Sequence, residues 1–114
     1  MNKLHTVKKS KDFTNIIHSG KFIKNKSYVI YYKDNELPVY RFGISVSKKL
    51  GKAVYRNKYK RQVRTIIDKY KKYYQNGLDY IIIIRNGCIN LNFASKDQEF
   101  KVLLDKIQKN IEEI

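Results

Sequence analysis

The sequence predicts an α/β fold of the α+β kind. It is a small two-layer sandwich, with helices packed against a sheet of about four strands, in the order α-β-β-α-β-α. Three observations carry that expectation. Between Phe42 and Arg64 the hydrophobic period changes from two to between three and four. Phe42, Ile44 and Val46 alternate there with Gly43, Ser45 and Ser47, and from about Ala53 the spacing becomes helical, as in a strand feeding a helix. The run DYIIIIR, Asp79 to Arg85, is continuously apolar and β-branched, the pattern of a central strand covered on both faces. Finally, Phe100, Leu103, Leu104, Ile107, Ile111 and Ile114 recur at helical spacing and form the buried stripe of a C-terminal helix.

In chain order, residues 1–9 are polar and basic and read as a loose arm. Ser10 suits an N-cap with Asp12 in the first turn, and Phe13, Ile16 and Ile17 follow at helical spacing. Gly20 suits the C-cap of that short helix. SYVIYYK, Ser27 to Lys33, is rich in β-branched and aromatic residues and reads as a strand, leaving room for a short additional strand near Phe22. Asp34-Asn35-Glu36-Leu37-Pro38 is turn chemistry, so Val39 to Ser47 is expected to return as an antiparallel hairpin partner. The helix from Ala53 is expected to run to Gly77, packing on the sheet through Tyr59, Val63, Ile66, Tyr70, Tyr73 and Tyr74. Asn57, Lys60, Arg64 and Lys71 share one flank of it. Asn86-Gly87 breaks the chain after the apolar strand, and Ser95 with Gln98 forms a capping box for the last helix.

Composition narrows function. The 114 residues fit one domain, 1–114, with core enough to fold alone, and 42% hydrophobic residues argue against disorder. A net charge of +15, from 25 basic and 10 acidic side chains, favours a polyanionic partner. No apolar run approaches the length of a membrane span and the N-terminus has no apolar signal core, so the expectation is a cytoplasmic protein without a membrane partner. The single cysteine, Cys88, fits a reducing compartment. With His5 and His18 the only histidines and no acidic cluster, no metal site is expected.

The charge concentrates in one place. Lys48 to Arg64 holds eight Lys or Arg in 17 residues and no acid. Like charges at that density repel one another and weaken a helix, which points to a polyanion that neutralises them. Arg56 and Lys58, near the helix start, also oppose the macrodipole.

This stretch resembles the signature of the protein subunit of bacterial ribonuclease P, in Phe42-Gly43, Ser45, Ser47-Lys48-Lys49, Gly51, Ala53-Val54, Arg56-Asn57, Lys60-Arg61 and Arg64. Asp12-Phe13, Gly20, the strand Tyr28 to Tyr32 and Asp79-Tyr80-Ile81 also fall at that family's spacing. Two positions depart from it: Lys58 stands where the family has a third Arg-Asn-Arg residue, and Ile17 where it has an aromatic. The resemblance implies an α/β sandwich like the second domain of ribosomal protein S5, with a left-handed β-α-β crossover. It implies the protein subunit of an RNA-based endonuclease that removes the 5′ leader of precursor tRNA. The catalytic centre and its Mg²⁺ would belong to the RNA subunit, and the protein alone would be inactive and monomeric.

By resemblance, Lys48, Lys49, Lys52, Arg56, Asn57, Lys58 and Arg61 would bind the catalytic RNA. Phe13 and Ile17 from the first helix, Tyr31, Ser45 and Ser47, with Lys60 and Arg64, would form a cleft for the 5′ leader of precursor tRNA. The residues alone leave a structural RNA-binding protein of ribosomal type as the alternative.

Overall fold

The computed structural model describes residues 6, 7 and 10–112. The elements are α1 (Ser10–Ser19), β1 (Lys21–Lys24), β2 (Tyr28–Asp34), β3 (Arg41–Val46), α2 (Ala53–Lys69), β4 (Leu78–Ile84), α3 (Asn86–Ile89) and α4 (Phe93–Glu112). The strands form one mixed sheet in the order β1-β2-β4-β3. β2 is antiparallel to both β1 and β4, whereas β3 lies parallel to β4.

Helices on a four-stranded sheet match the expectation, with the additional strand near Phe22 as β1. β4 is central, as its composition demands. The pairing of β3 does not follow the hairpin expectation, because β4 is inserted between β2 and β3. A strand apolar on both faces needs a neighbour on each side and cover above and below, and at an edge its isoleucines would meet water. The loop after β2 makes the exchange by arching over the start of β4. The Asn35 N–H donates to the Gly77 carbonyl at 2.9 Å, and the Gly77 N–H donates to the Val39 carbonyl at 3.1 Å.

Strand alternation divides the sheet into two faces. Tyr28, Ile30, Tyr32, Phe42, Val46, Tyr80, Ile82 and Ile84 face α2 and α4, meeting Val63, Ile66, Ile67, Phe100, Leu103, Leu104 and Ile107. On the other face α1 packs through Phe13, Ile16 and Ile17 onto Tyr31, Ile81 and Ile83. Two tyrosines of the larger core turn their hydroxyls onto helix carbonyls: Tyr28 donates to that of Lys96 and Tyr74 to that of Ile67, each at 2.9 Å.

Several boundaries differ from the sequence reading for local reasons. α2 stops at Lys69, not Gly77. The Tyr70 N–H bonds the Ile67 carbonyl, a single 3-10 turn covers Lys71–Tyr73, and the Tyr74 hydroxyl returns to the same carbonyl. Tyr74 therefore joins the core from outside the helix, while Tyr73 is left 46% exposed. Gly77, at φ 88, turns the chain into β4. The cap of α4 is Asn92, whose Oδ1 accepts from the Ser95 N–H at 2.8 Å, so Ser95 lies inside the first turn.

Thr6 and Val7, expected within a loose arm, are fastened along β3. Thr6 bridges Phe42 in parallel, and the Val7 N–H donates to the Phe42 carbonyl at 2.8 Å. The remainder of residues 1–9, and Ile114 of the expected helical stripe, lie outside the described residues. Cys88 is buried, and that burial pushes its thiol up from its ordinary value.

Candidate nucleic-acid interface

The basic stretch begins where β3 ends. Ser47 accepts from the Lys49 N–H at 3.2 Å and so caps a 3-10 turn, Lys48–Leu50, that presents Lys48 and Lys49 outward. Gly51 then takes φ 136, a conformation open to glycine, and Lys52 begins α2 without any side-chain cap. Lys48, Lys49, Lys52, Asn57, Lys58 and Arg61 are exposed. The expected RNA-binding set is thus brought to one corner, around an α2 N-terminus whose uncapped N–H groups add to the positive potential. Arg56 is half-buried, and its Nε is a buried donor without a hydrogen-bond partner among the described residues. Val54 and Tyr55 project from the same corner, 68% and 53% exposed.

The second expected surface lies on the face that carries α1. Tyr31, Ile81 and Gly43 are opposite one another across β2, β4 and β3, and Val29, Ile83 and Ser45 form the next row. Gly43 is there because α1 comes so close. A Cβ at that position would lie 2.4 Å from Phe13 Cε2 and 2.8 Å from Ile81 Cδ1. Phe13 and Ile17 are half-buried against Tyr31 and Ile83, so their rims stay accessible. Below this row α1 is tied down by charge. Arg41 grips the buried Asp79 through two bonds of 2.8 and 2.5 Å and comes within 4.0 Å of Asp12 in α1.

Phe13, Ile17, Tyr31 and Ser45 therefore share one face, but the other expected members do not. Ser47 lies beyond the end of β3 with its hydroxyl engaged as a cap. Lys60 and Arg64 belong to α2, which packs on the opposite sheet face. Contacts to α4 come from Gln62 and Lys69, which bond Lys96 and Asp97. At about 100° per residue, Asn57, Lys60 and Arg64 occupy the flank turned away from α4. Three members of the α1 face had not been singled out: Phe22, Val29 and Ile83. The signal for them was the period-two alternation of the KFIK and SYVIYYK segments, set against the register of β4.

Among the described residues there is no group of three or more His, Cys, Asp or Glu side chains able to hold a metal ion. No helix of the described residues is long and apolar enough to cross a membrane.

Comparison with known proteins gives one answer. A family model described as Ribonuclease P matches residues 1–108. The ribonuclease P protein component of Streptococcus agalactiae is 42% identical over 98 residues, covering 86% of this chain and 89% of that protein. That of Bacillus cereus is 39% identical over 94 residues, covering 82% of each. Among solved structures, a Staphylococcus aureus RNase P protein mutant with defective mRNA degradation activity superposes with a TM-score of 0.87 at 33% identity, covering 93% of this chain and 90% of that one. The RNase P protein of Thermotoga maritima gives 0.81 at 30% identity, covering 89% and 96%.

Proposed function

Because the chain belongs to the family of ribonuclease P protein components, we infer that it uses its two surfaces for two RNAs, one catalytic and one substrate. It is the protein subunit of ribonuclease P, the ribonucleoprotein that matures the 5′ end of tRNA, and its partner is the ribonuclease P RNA. The basic corner, from Lys48 to Arg61, takes the catalytic RNA. Lysines and arginines there displace condensed counterions, and Asn57 can donate and accept without adding charge. The unpartnered Arg56 Nε finds an acceptor on the RNA. Lys58 contributes a point charge, not a paired grip on a phosphate.

The α1 face takes the single-stranded 5′ leader of precursor tRNA. Bases lie against Phe13, Ile17 and Tyr31 over a floor of Ser45, Val29 and Ile83, while Lys60 and Arg64 meet leader phosphates at the β3 margin. Ile17 offers apolar contact only. The Mg²⁺ ions belong to the RNA subunit, and the protein needs no carboxylate at either surface. The observation that carries this reading is the acid-free cationic corner beside a face whose aromatic and apolar residues are only half covered. The protein works in the cytoplasm as a monomer before it joins the RNA.

Reconstitution tests the proposal. Protein, the cognate ribonuclease P RNA, low Mg²⁺ and precursor tRNA should together yield a product cut at the mature 5′ end. A structural RNA-binding protein would not stimulate that cleavage. Protein with Mg²⁺ but no RNA subunit should leave both precursor tRNA and a messenger RNA intact, since among the described residues no cluster of carboxylates or histidines is available to activate water. The messenger matters as a control because the Staphylococcus aureus mutant is described as defective in mRNA degradation.

A further inference from the structure

The aromatic surface of the α1 face does not stop at Tyr31. Phe22, on the edge strand β1, stands directly opposite Tyr31, and the two rings are 5.5 Å apart at 40°. Phe22 is 56% exposed. Lys24, two residues on and therefore on the same face, is exposed opposite Val29 and has no carboxylate partner among the described residues. Along the strand they are spaced by about 6.7 Å. An exposed phenylalanine on an edge strand is a liability unless something covers it. Lys24, exposed on the same face, favours a polyanion over an apolar protein surface. A flat ring with an ammonium one step away suits a base and its backbone phosphate.

We propose that the leader continues past Tyr31 onto β1, one base resting on the Phe22–Tyr31 pair and one phosphate meeting Lys24. This rests on the reading of the α1 face as the leader groove. In the sheet β1 is the strand farthest from β3, three inter-strand steps or about 14 Å away. Since the corner proposed for the catalytic RNA lies at the end of β3, Phe22 and Lys24 contact leader nucleotides remote from the cleavage site, and the protein prefers leaders long enough to reach them.

The test uses holoenzyme assembled with the full chain carrying Phe22→Ala, Phe22→Tyr or Lys24→Ala, and precursor tRNAs whose leaders are trimmed one nucleotide at a time. Phe22→Ala should weaken binding of long-leader precursor about tenfold, with no effect on short leaders or mature tRNA, and Phe22→Tyr should restore it. Lys24→Ala should lower the salt slope by roughly 0.7, again with long leaders only. Wild-type binding by both Ala variants at every leader length, while Phe13→Ala or Tyr31→Ala still weakens precursor binding, overturns this inference and leaves the groove intact. If Phe13→Ala and Tyr31→Ala are also silent, the groove itself is wrong. A loss of equal size on mature tRNA places Phe22 against another RNA and likewise overturns the extension.

Discussion

At the scale of single residues, the geometry of both surfaces depends on side chains that cannot be exchanged for near relatives. Gly43 lets the Phe13 ring come close to β3, since a Cβ there would lie 2.4 Å from Phe13 Cε2. Gly43→Ala should push Phe13 out, cost about 1–3 kcal/mol in denaturant unfolding and reduce affinity for precursor tRNA more than for mature tRNA. Arg56 presents a buried Nε without a partner among the described residues, a cost in the free protein that binding can remove. Arg56→Ala should weaken assembly with the ribonuclease P RNA about tenfold while leaving free-protein stability near wild type, read by titrating labelled RNA. Burial sets some of the tyrosines apart. Burial pushes the Tyr28, Tyr74 and Tyr80 hydroxyls up, and all three are structural, whereas Tyr31 is left half-buried beside α1. Composition alone gave no means of separating them.

At the scale of elements, α2 must be held firmly because its sheet-facing side is its only large source of stability; the rest of its surface is mostly charged and polar, with Val54 and Tyr55 exposed at its start. One tie is to α4. Lys69 donates to Asp97 at 2.6 Å, and the Tyr70 hydroxyl donates to the other carboxylate oxygen. Burial of Asp97 opposes its ionisation, but the bonds from Lys69 and Tyr70 outweigh it and hold the carboxyl below its ordinary range. A carboxyl lowered by folding stabilises the folded state above its unfolded value, near pH 4, and that contribution is lost as pH falls through its lower folded value. Stability followed by denaturant unfolding should therefore drop below about pH 4, and Asp97→Asn should flatten that drop while costing about 1–2 kcal/mol at neutral pH. The sequence made α1, α2, α4 and β4 legible, since their periodicity is local, whereas α3, a single turn at Asn86–Ile89, was read only as a break because four residues carry no period. It did not reveal that β4 separates β2 from β3, because that depends on Asn35 and Gly77 bonding across a long separation. The end of α2 was misplaced for a similar reason: Tyr74 continues the helical spacing of apolar residues but reaches the core from an extended backbone.

At the scale of the whole molecule, charge and apolar exposure are arranged as the proposed function requires, with cations gathered at one corner for folded RNA and a half-covered apolar surface on the α1 face for a single strand. A net charge of +15 steers the protein toward RNA, while the 3-10 turn and the α2 N-terminus concentrate cations at one corner. The basic corner was legible because its residues are adjacent in the chain. The α1 face was legible only in part: its residues come from α1, β1, β2, β3 and β4, and Phe22, Val29 and Ile83 join it through strand register. Lys60 and Arg64 test the margin between the two surfaces. If they meet leader phosphates, each change to Ala should reduce the salt dependence of precursor binding by roughly 0.7. An unchanged slope would assign that flank of α2 to the catalytic RNA or to solvent.

The central claim is that protein contacts to the leader make the complex prefer substrate over product. The most direct measurement is the affinity of the ribonuclease P RNA for precursor and for mature tRNA, each with and without this protein at one salt concentration. The account predicts that adding the protein tightens precursor binding by about tenfold or more beyond any gain for mature tRNA, as one or two leader contacts would supply. An equal gain for both tRNAs would contradict it.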